Sequence, residues 1–238
     1  MHLCGAAAAL AIVTVLGPRM GKYNADGTTN AMPGSNIPIA ALGAWILWLG
    51  WFGFNGGSEL VVSSEASAVA VSQVFLNTNM AAAGGVVGAL ILSLIMTGKM
   101  DVTMAINGAI AGLVGITAGP SAPSGGAAVL IGLLAGLLVY VSILYFEKKL
   151  KIDDPVGAIS AHGIVGIFGV MVVPFTNGDA SFLWQLYGVI AIAGFTYVAS
   201  LIAIYVINMF LSIRATDEEQ MAGLDSTEVG VEAYPEFD

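Results

Sequence analysis

The chain has 238 residues, 57% of them apolar and 10% charged, with a mean hydropathy of +0.88. Soluble domains carry about 25% charged residues, so an ordinary water-soluble globule is excluded. Seven Lys and Arg against sixteen Asp and Glu give a net charge of −9, which excludes a nucleic-acid binder that works by neutralising phosphates. One cysteine, Cys4, excludes an intramolecular disulfide framework, and two histidines, His2 and His162, exclude a zinc centre built on a histidine cluster. What remains is an integral, all-α membrane protein with no cofactor to hold. Its 31 glycines suit helices whose backbones approach closely in a bilayer.

Apolar stretches run over residues 2–17, 37–57, 66–97, 102–119, 125–147, 156–174 and 182–213. A helix that spans hydrocarbon needs roughly 17–25 residues. The last six stretches reach that length, and the two longest must tilt or extend beyond the bilayer. The first is short. Its run Ala6-Ala7-Ala8-Ala9 resembles a cleavable signal peptide, but the basic residues follow the apolar core, at Arg19 and Lys22, instead of preceding it. It is therefore expected to be the latter part of a transmembrane helix whose beginning is missing.

The seven basic residues set the topology. Arg19 and Lys22 follow stretch one, Lys99 stretch three, Lys148, Lys149 and Lys151 stretch five, and Arg214 stretch seven. The loops near residues 57–65, 120–124 and 177–181 carry none. Every second loop is basic, as the positive-inside rule demands of seven transmembrane helices with the N-terminus outside and the C-terminus in the cytoplasm. Residues 1–214 are read as the membrane domain and 215–238 as an acidic cytoplasmic tail. That tail has eight carboxylates and no Lys or Arg, a composition expected to be disordered by itself.

Polar residues inside the spans mark function by default. His162 lies nine residues past Asp153, which at 1.5 Å per residue places it roughly 13–14 Å deep in a core about 30 Å thick. His2 lies roughly 22 Å from the inner boundary, less with tilt. Two histidines at comparable depth either pair or each satisfy a neighbouring carbonyl, and the residues alone leave both readings open. Asn77, Thr78, Asn79 and Asn107 are expected to make interhelical hydrogen bonds. Asp153-Asp154-Pro155 reads as an N-cap followed by a first-turn proline at the start of stretch six. No span contains a lysine, which excludes a retinal-binding seven-helix receptor.

The run Gly50-Trp51-Phe52-Gly53-Phe54-Asn55-Gly56-Gly57-Ser58 is similar to a motif of the ammonium transporter (Amt/Mep/Rh) family. So is Asp153-Asp154-Pro155 followed by Ala161-His162-Gly163, with supporting similarity at residues 16–19, 107–114, 223–225 and 232–234. The resemblance covers essentially the whole chain. It implies the end of helix 5 through helix 11 of an eleven-helix transporter whose first ten helices form two inverted repeats, with His2 and His162 as a twin-histidine pair at the repeat interface. It further implies that Phe54 is one of two phenylalanines gating the outer pore, with Trp51 beside it, and that Ser58 helps to hold ammonium above the gate. Many members carry an aspartate where Gly157 stands, and helices 1–4 have no counterpart here.

The implied activity is transport, not enzymatic catalysis. Aromatic faces attract the cation, desolvation favours its deprotonation near Phe54, and ammonia passes beside the imidazoles, which relay the proton. The resemblance also implies a homotrimer in the plasma membrane, in contact with the lipid bilayer, whose cytoplasmic face meets a trimeric signalling protein. The alternatives are an ammonium sensor of the same fold, although no signalling domain follows Asp238, or a non-functional fragment. Residues 1–238 by themselves are expected not to conduct ammonium, because half of the pore wall would be absent.

Overall fold

A computed structural model describes residues 1–235; Glu236, Phe237 and Asp238, the last of the acidic tail, lie outside the described residues. Each apolar stretch contains one helix: α1 (His2–Leu16), α2 (Ile37–Gly56), α3 (Glu65–Thr97), α4 (Val102–Thr117), α5 (Gly125–Tyr145), α6 (Val165–Thr176) and α7 (Phe182–Asn208). Among the described residues, five helical segments are long and apolar enough to cross a membrane, and α1 and α4 are shorter apolar helices. The protein is an all-helical integral membrane protein. Stretch four, expected to reach spanning length, falls short as a helix of 16 residues. The Asp101 carboxylate caps its start, and Pro120 disfavours helical backbone at the residue before it.

The helix ends are closed by local chemistry. Asn36 and Ser124 accept from the first turns of α2 and α5. Ser64 and Ser67 form a reciprocal capping box on α3. The Arg214 guanidinium donates to the Leu16 carbonyl at 2.8 Å, placing a cation at the negative end of α1.

Of the expected interhelical bonds, those of Asn77 and Thr78 do leave their helix. Asn77 donates to the Pro120 and Pro123 carbonyls, and Asn55 donates to the Thr78 hydroxyl. Asn107 instead donates to the Thr103 carbonyl of its own helix.

The centre of the bundle is a three-helix unit in which α3 lies between α4 and α5. A Cβ on Gly132 of α5 would sit 1.9 Å from the Ala81 carbonyl oxygen, and one on Gly136 would sit 2.1 Å from that of Gly85. Only backbones without side chains approach so closely, and the dispersion contacts of that approach hold helices together where lipid supplies no hydrophobic drive. Leu113, Val114, Val139 and Val165 are buried around this unit together with Trp51. Helix α7 packs on α1 and α6, and most of it is exposed, with Val189 its one buried residue.

All the basic loops gather at one end. Arg19 pairs with Asp153, and Lys22 pairs with Glu147 at 2.6 Å. Lys151 donates to the Gly27 carbonyl and lies 5.3 Å from the Tyr23 ring centroid. Asp101, next to Lys99, helps to line a cavity of about 530 Å³ with Arg19, Lys22 and Asp153. The alternation of basic and non-basic loops thus corresponds to two ends of the bundle.

The acidic tail is more ordered than its composition suggests. Thr216 and Glu219 form a capping box that starts α8 (Asp217–Ala222), and Gln220 accepts a hydrogen bond from the Met20 backbone N–H at 3.0 Å.

If backbone approach holds the α3–α5 contact, Gly132→Ala is expected to destabilise the bundle by about 1–3 kcal/mol. Gly194→Ala on α7, where a Cβ meets nothing within 4 Å, is expected to be neutral or stabilising by up to about 1 kcal/mol through helix propensity. Unfolding midpoints of the two purified variants in detergent check the contrast; equal losses would refute it.

Candidate functional site

The two histidines lie 160 residues apart in the sequence and meet inside the bundle. His2 is the first residue of α1. His162 lies on a π-helical segment, Ile159–Ile164, that leads into α6. Their Nδ1 atoms are 3.1 Å apart and their ring centroids 5.1 Å apart. Of the two readings left open by the sequence, pairing is the one adopted. One Nδ1 must donate and the other accept, so the two rings take different roles and one proton lies between them.

Gly166 faces the start of α1. A Cβ there would lie 3.4 Å from both His2 Cβ and the Leu3 backbone N.

Aromatic rings complete the wall. The Trp51 ring stacks on His2 at 5.2 Å with an interplanar angle of 17°, and Phe54 lies 5.6 Å from His2 and 5.5 Å from Trp51. Both belong to α2, three residues apart, so they project from one face of that helix. Trp51 is buried, and its indole N–H donates to Thr117 Oγ1 at 2.9 Å, while Thr117 donates to the Leu113 carbonyl. Phe54 remains 40% exposed. Ser58 lies on the exposed turn Gly57–Glu59 and donates to the Phe54 carbonyl at 2.9 Å. It is thereby tied to the aromatic pair and stands apart from the imidazoles. A second cavity of about 250 Å³ adjoins His2, lined by Val114, Thr117, Gly166 and Gln185. Among the described residues no group of three or more His, Cys, Asp or Glu is arranged to hold a metal ion.

The segment 153–157 departs from the expected helix start. Pro155 lies in a turn before the helix, not in its first helical turn, and Gly157 adopts φ +73°. Helical structure begins only beyond it. Asp154 is the cap: its carboxylate accepts from the Ala158 and Ile159 N–H groups at 3.0 and 2.8 Å. Burial pushes the Asp154 carboxyl up from its ordinary range, against the pull of those hydrogen bonds.

Asp153 instead faces Arg19. It accepts from the guanidinium at 2.8 Å through both oxygens and from the Arg19 backbone N–H at 2.9 Å. Burial pushes its carboxyl up, but the hydrogen bonds and charge of Arg19 outweigh that and hold it below the usual carboxylate range.

Thr117, Ser142 and Ser160 escaped the sequence reading. They are single hydroxyls in apolar stretches, and only the fold places them beside functional side chains. Ser160, two residues before His162, offered the one local signal.

A multi-span helical membrane protein with a half-buried histidine pair walled by aromatic rings is the class that this fold and site define. The Ammonium Transporter Family model matches residues 1–234, and the chain belongs to that family, whose members are transporters and not enzymes. It is 37% identical to ammonium transporter Amt2 of Archaeoglobus fulgidus across its whole length, covering 54% of that protein. It is 33% identical to an ammonium transporter of Bacillus subtilis over 98% of its length, covering 59% of that protein. Among solved structures, a protein titled Sensor Amt Protein superposes with a TM-score of 0.89 at 36% identity, covering 95% of this chain and 57% of that one. Candida albicans Mep2 superposes with a TM-score of 0.79 at 26% identity, covering 92% and 51%. The chain thus spans about half the length of the curated relatives it matches.

The Arg19–Asp153 pair yields a signed pH dependence. A depressed carboxylate contributes stability that is present above its ordinary pKa of 3.8 and is lost as pH falls through the depressed native value. Arg19→Met is expected to cost about 1 kcal/mol at neutral pH, at the low end because the guanidinium is partly exposed. The difference should close as acid protonates Asp153. Thermal melts of both proteins across that pH range read it out, and a gap independent of pH would assign the loss to packing.

Proposed function

We propose that the chain, within a complete transporter, moves ammonium across the membrane by admitting it at an aromatic gate and conducting it as ammonia past His2 and His162. The observation that carries the proposal is the 3.1 Å contact between the two Nδ1 atoms, closed in by the rings of Trp51 and Phe54.

The exposed Ser58 hydroxyl keeps lone pairs free to accept an N–H of ammonium, and the half-exposed face of Phe54 attracts the cation. Further in, an unneutralised ammonium ion pays a large desolvation cost between apolar walls. It therefore sheds its proton and continues as neutral ammonia. The imidazoles offer ammonia an acceptor and a donor, and their shared hydrogen bond is the relay for the separated proton.

Residues 1–214 form the membrane domain in this reading and 215–238 its cytoplasmic tail. A homotrimer in the plasma membrane is part of the same proposal, supported by the exposed apolar faces of α2 and α7, which suit lipid or neighbouring subunits. The end where the basic loops and α8 meet is the face open to a cytoplasmic signalling protein. A second reading, an ammonium sensor, is favoured by the likeness to the structure titled Sensor Amt Protein. A third, a transporter fragment without activity, rests on the half-length match to the relatives.

His162→Ala, introduced into the complete transporter in its native membrane, is expected to cut methylammonium uptake by about two orders of magnitude, the scale of a lost proton-transfer group. Helical structure should be retained. His162→Glu keeps a proton carrier but adds negative charge, and is expected to pass potassium alongside ammonium. Normal, selective uptake by the alanine variant would reduce His162 to a structural histidine. Absence of flux in the parent protein with an intact cellular response to ammonium would favour the sensor; absence of both would favour the fragment.

Phe54→Ala is expected to raise water and ion leak, because it removes the ring beside His2. Stopped-flow osmotic shrinkage of vesicles and membrane conductance measure this, and unchanged values in both would make Phe54 core packing.

A further inference from the structure

His162 does not sit on an ordinary α-helix. Residues Ile159–Ile164 are π-helical, a form with one residue more per loop of hydrogen bonds than the α-helix allows, rare and usually a single turn. Such a segment is locally weak. Sliding it by one residue along the chain would turn His162 away from His2. The structure therefore needs something that fixes where the π segment lies.

Its N-terminal side is fixed by the Asp154 carboxylate on the Ala158 and Ile159 N–H groups. Within the segment, besides the His162–His2 contact itself, one side-chain hydrogen bond reaches out to another helix. Ser142 of α5 donates to Ser160 Oγ at 2.9 Å. Ser160 has no exposure and Ser142 has 6%, so neither hydroxyl has water to replace its partner, and breaking the pair leaves a buried polar group unmatched. Helix α5 is in turn locked to α3 through Gly132 and Gly136. The hydroxyl pair thus ties the segment that carries His162 to the most closely packed part of the bundle.

We propose that Ser142 and Ser160 are positioning residues: their buried hydroxyl pair holds the π-helical segment in the one placement that presents His162 Nδ1 to His2 Nδ1. The consequence for transport rests on the proposed function, but the placement itself does not.

The chain has only two histidines, so ¹⁵N-histidine labelling gives two ring systems without ambiguity. Solid-state NMR of the protein in bilayers reads the Nδ1–Nδ1 correlation across the hydrogen bond, alongside circular dichroism for helix content. Ser142→Ala and Ser160→Ala are each expected to raise the unpaired ring signals roughly fivefold, the shift that one net hydrogen bond brings.

The double alanine variant is expected to do no more than either single one, because each already breaks the same bond, and it leaves no orphan hydroxyl behind. If a single variant fails to fold, the double variant decides by the same readout. Unchanged pairing in a folded variant overturns the proposal, and so do additive effects. Loss of helix in the double variant also overturns it, because the pair would then hold the whole bundle and not a local placement.

Methylammonium uptake in the same membranes separates this from the functional reading. Weakened pairing with unchanged uptake would leave the placement standing and refute the pore role of the histidines. Unmoved pairing refutes the placement whatever the uptake.

Discussion

A polar atom taken into the membrane interior must find its partner within the protein, and that demand organises this structure. The imidazoles answer it at Nδ1 with each other, at 3.1 Å, while His2 Nε2 and Asn55 Oδ1 stay buried without a hydrogen-bond partner among the described residues. Trp51 answers it with Thr117, Asn55 with Thr78, Asn77 with two proline carbonyls, and Ser142 with Ser160. Each pair joins separate helices or a helix and a loop, so each also fixes a distance between elements that apolar packing alone would leave free to slide. In a medium where hydrocarbon outside the bundle is as apolar as the side chains within, such bonds and close van der Waals contact are what remain to hold helices together.

The glycines are the other half of that arrangement. Where α3 meets α5, the Ala81 and Gly85 carbonyls lie against Gly132 and Gly136 with no room for a side chain. That packing gives a stiff frame. The helices that carry the candidate site hang on it less tightly: α2 leaves most of its surface exposed, and α1 relies on α7, α6 and the π segment. Precision at the site therefore comes from discrete polar ties between a rigid frame and looser elements.

Much of this was legible in the sequence because the periodicity needed was only that of length. Seven apolar stretches became seven apolar helices, and the placing of Arg19, Lys22, Lys148, Lys149, Lys151 and Arg214 foretold which loops share an end. That His2 and His162 could meet was legible as arithmetic on rise per residue, while the choice between pairing and separate carbonyl partners was not. That choice depends on how α1 and the segment before α6 approach each other, which no local pattern announces. The segment 153–157 was misread for a related reason. Asp153-Asp154-Pro155 has the composition of a cap and first turn, yet Asp153 is drawn to Arg19 at the end of α1, and that tertiary ion pair outweighs the local preference. The tail was misread through charge alone, since eight carboxylates masked the capping box of Thr216 and Glu219.

The Arg19–Asp153 pair has a place in the site that distance along the chain hides. Arg19 follows the helix that begins with His2, and Asp153 precedes the segment that carries His162. The two stretches of chain that hold the histidines are thus joined twice, by an ion pair at the basic end and by an imidazole contact within the bundle. Two attachments on the same pair of elements restrict both their separation and their relative tilt, which a single contact cannot do. The π segment would undo that restriction if it were free to shift, because it lies between Asp153 and the ring of His162. Asp154 at its start and Ser142 at Ser160 remove that freedom. The imidazole contact is therefore the end of a chain of fixed points that starts at the membrane surface, and its geometry follows from groups that never touch it.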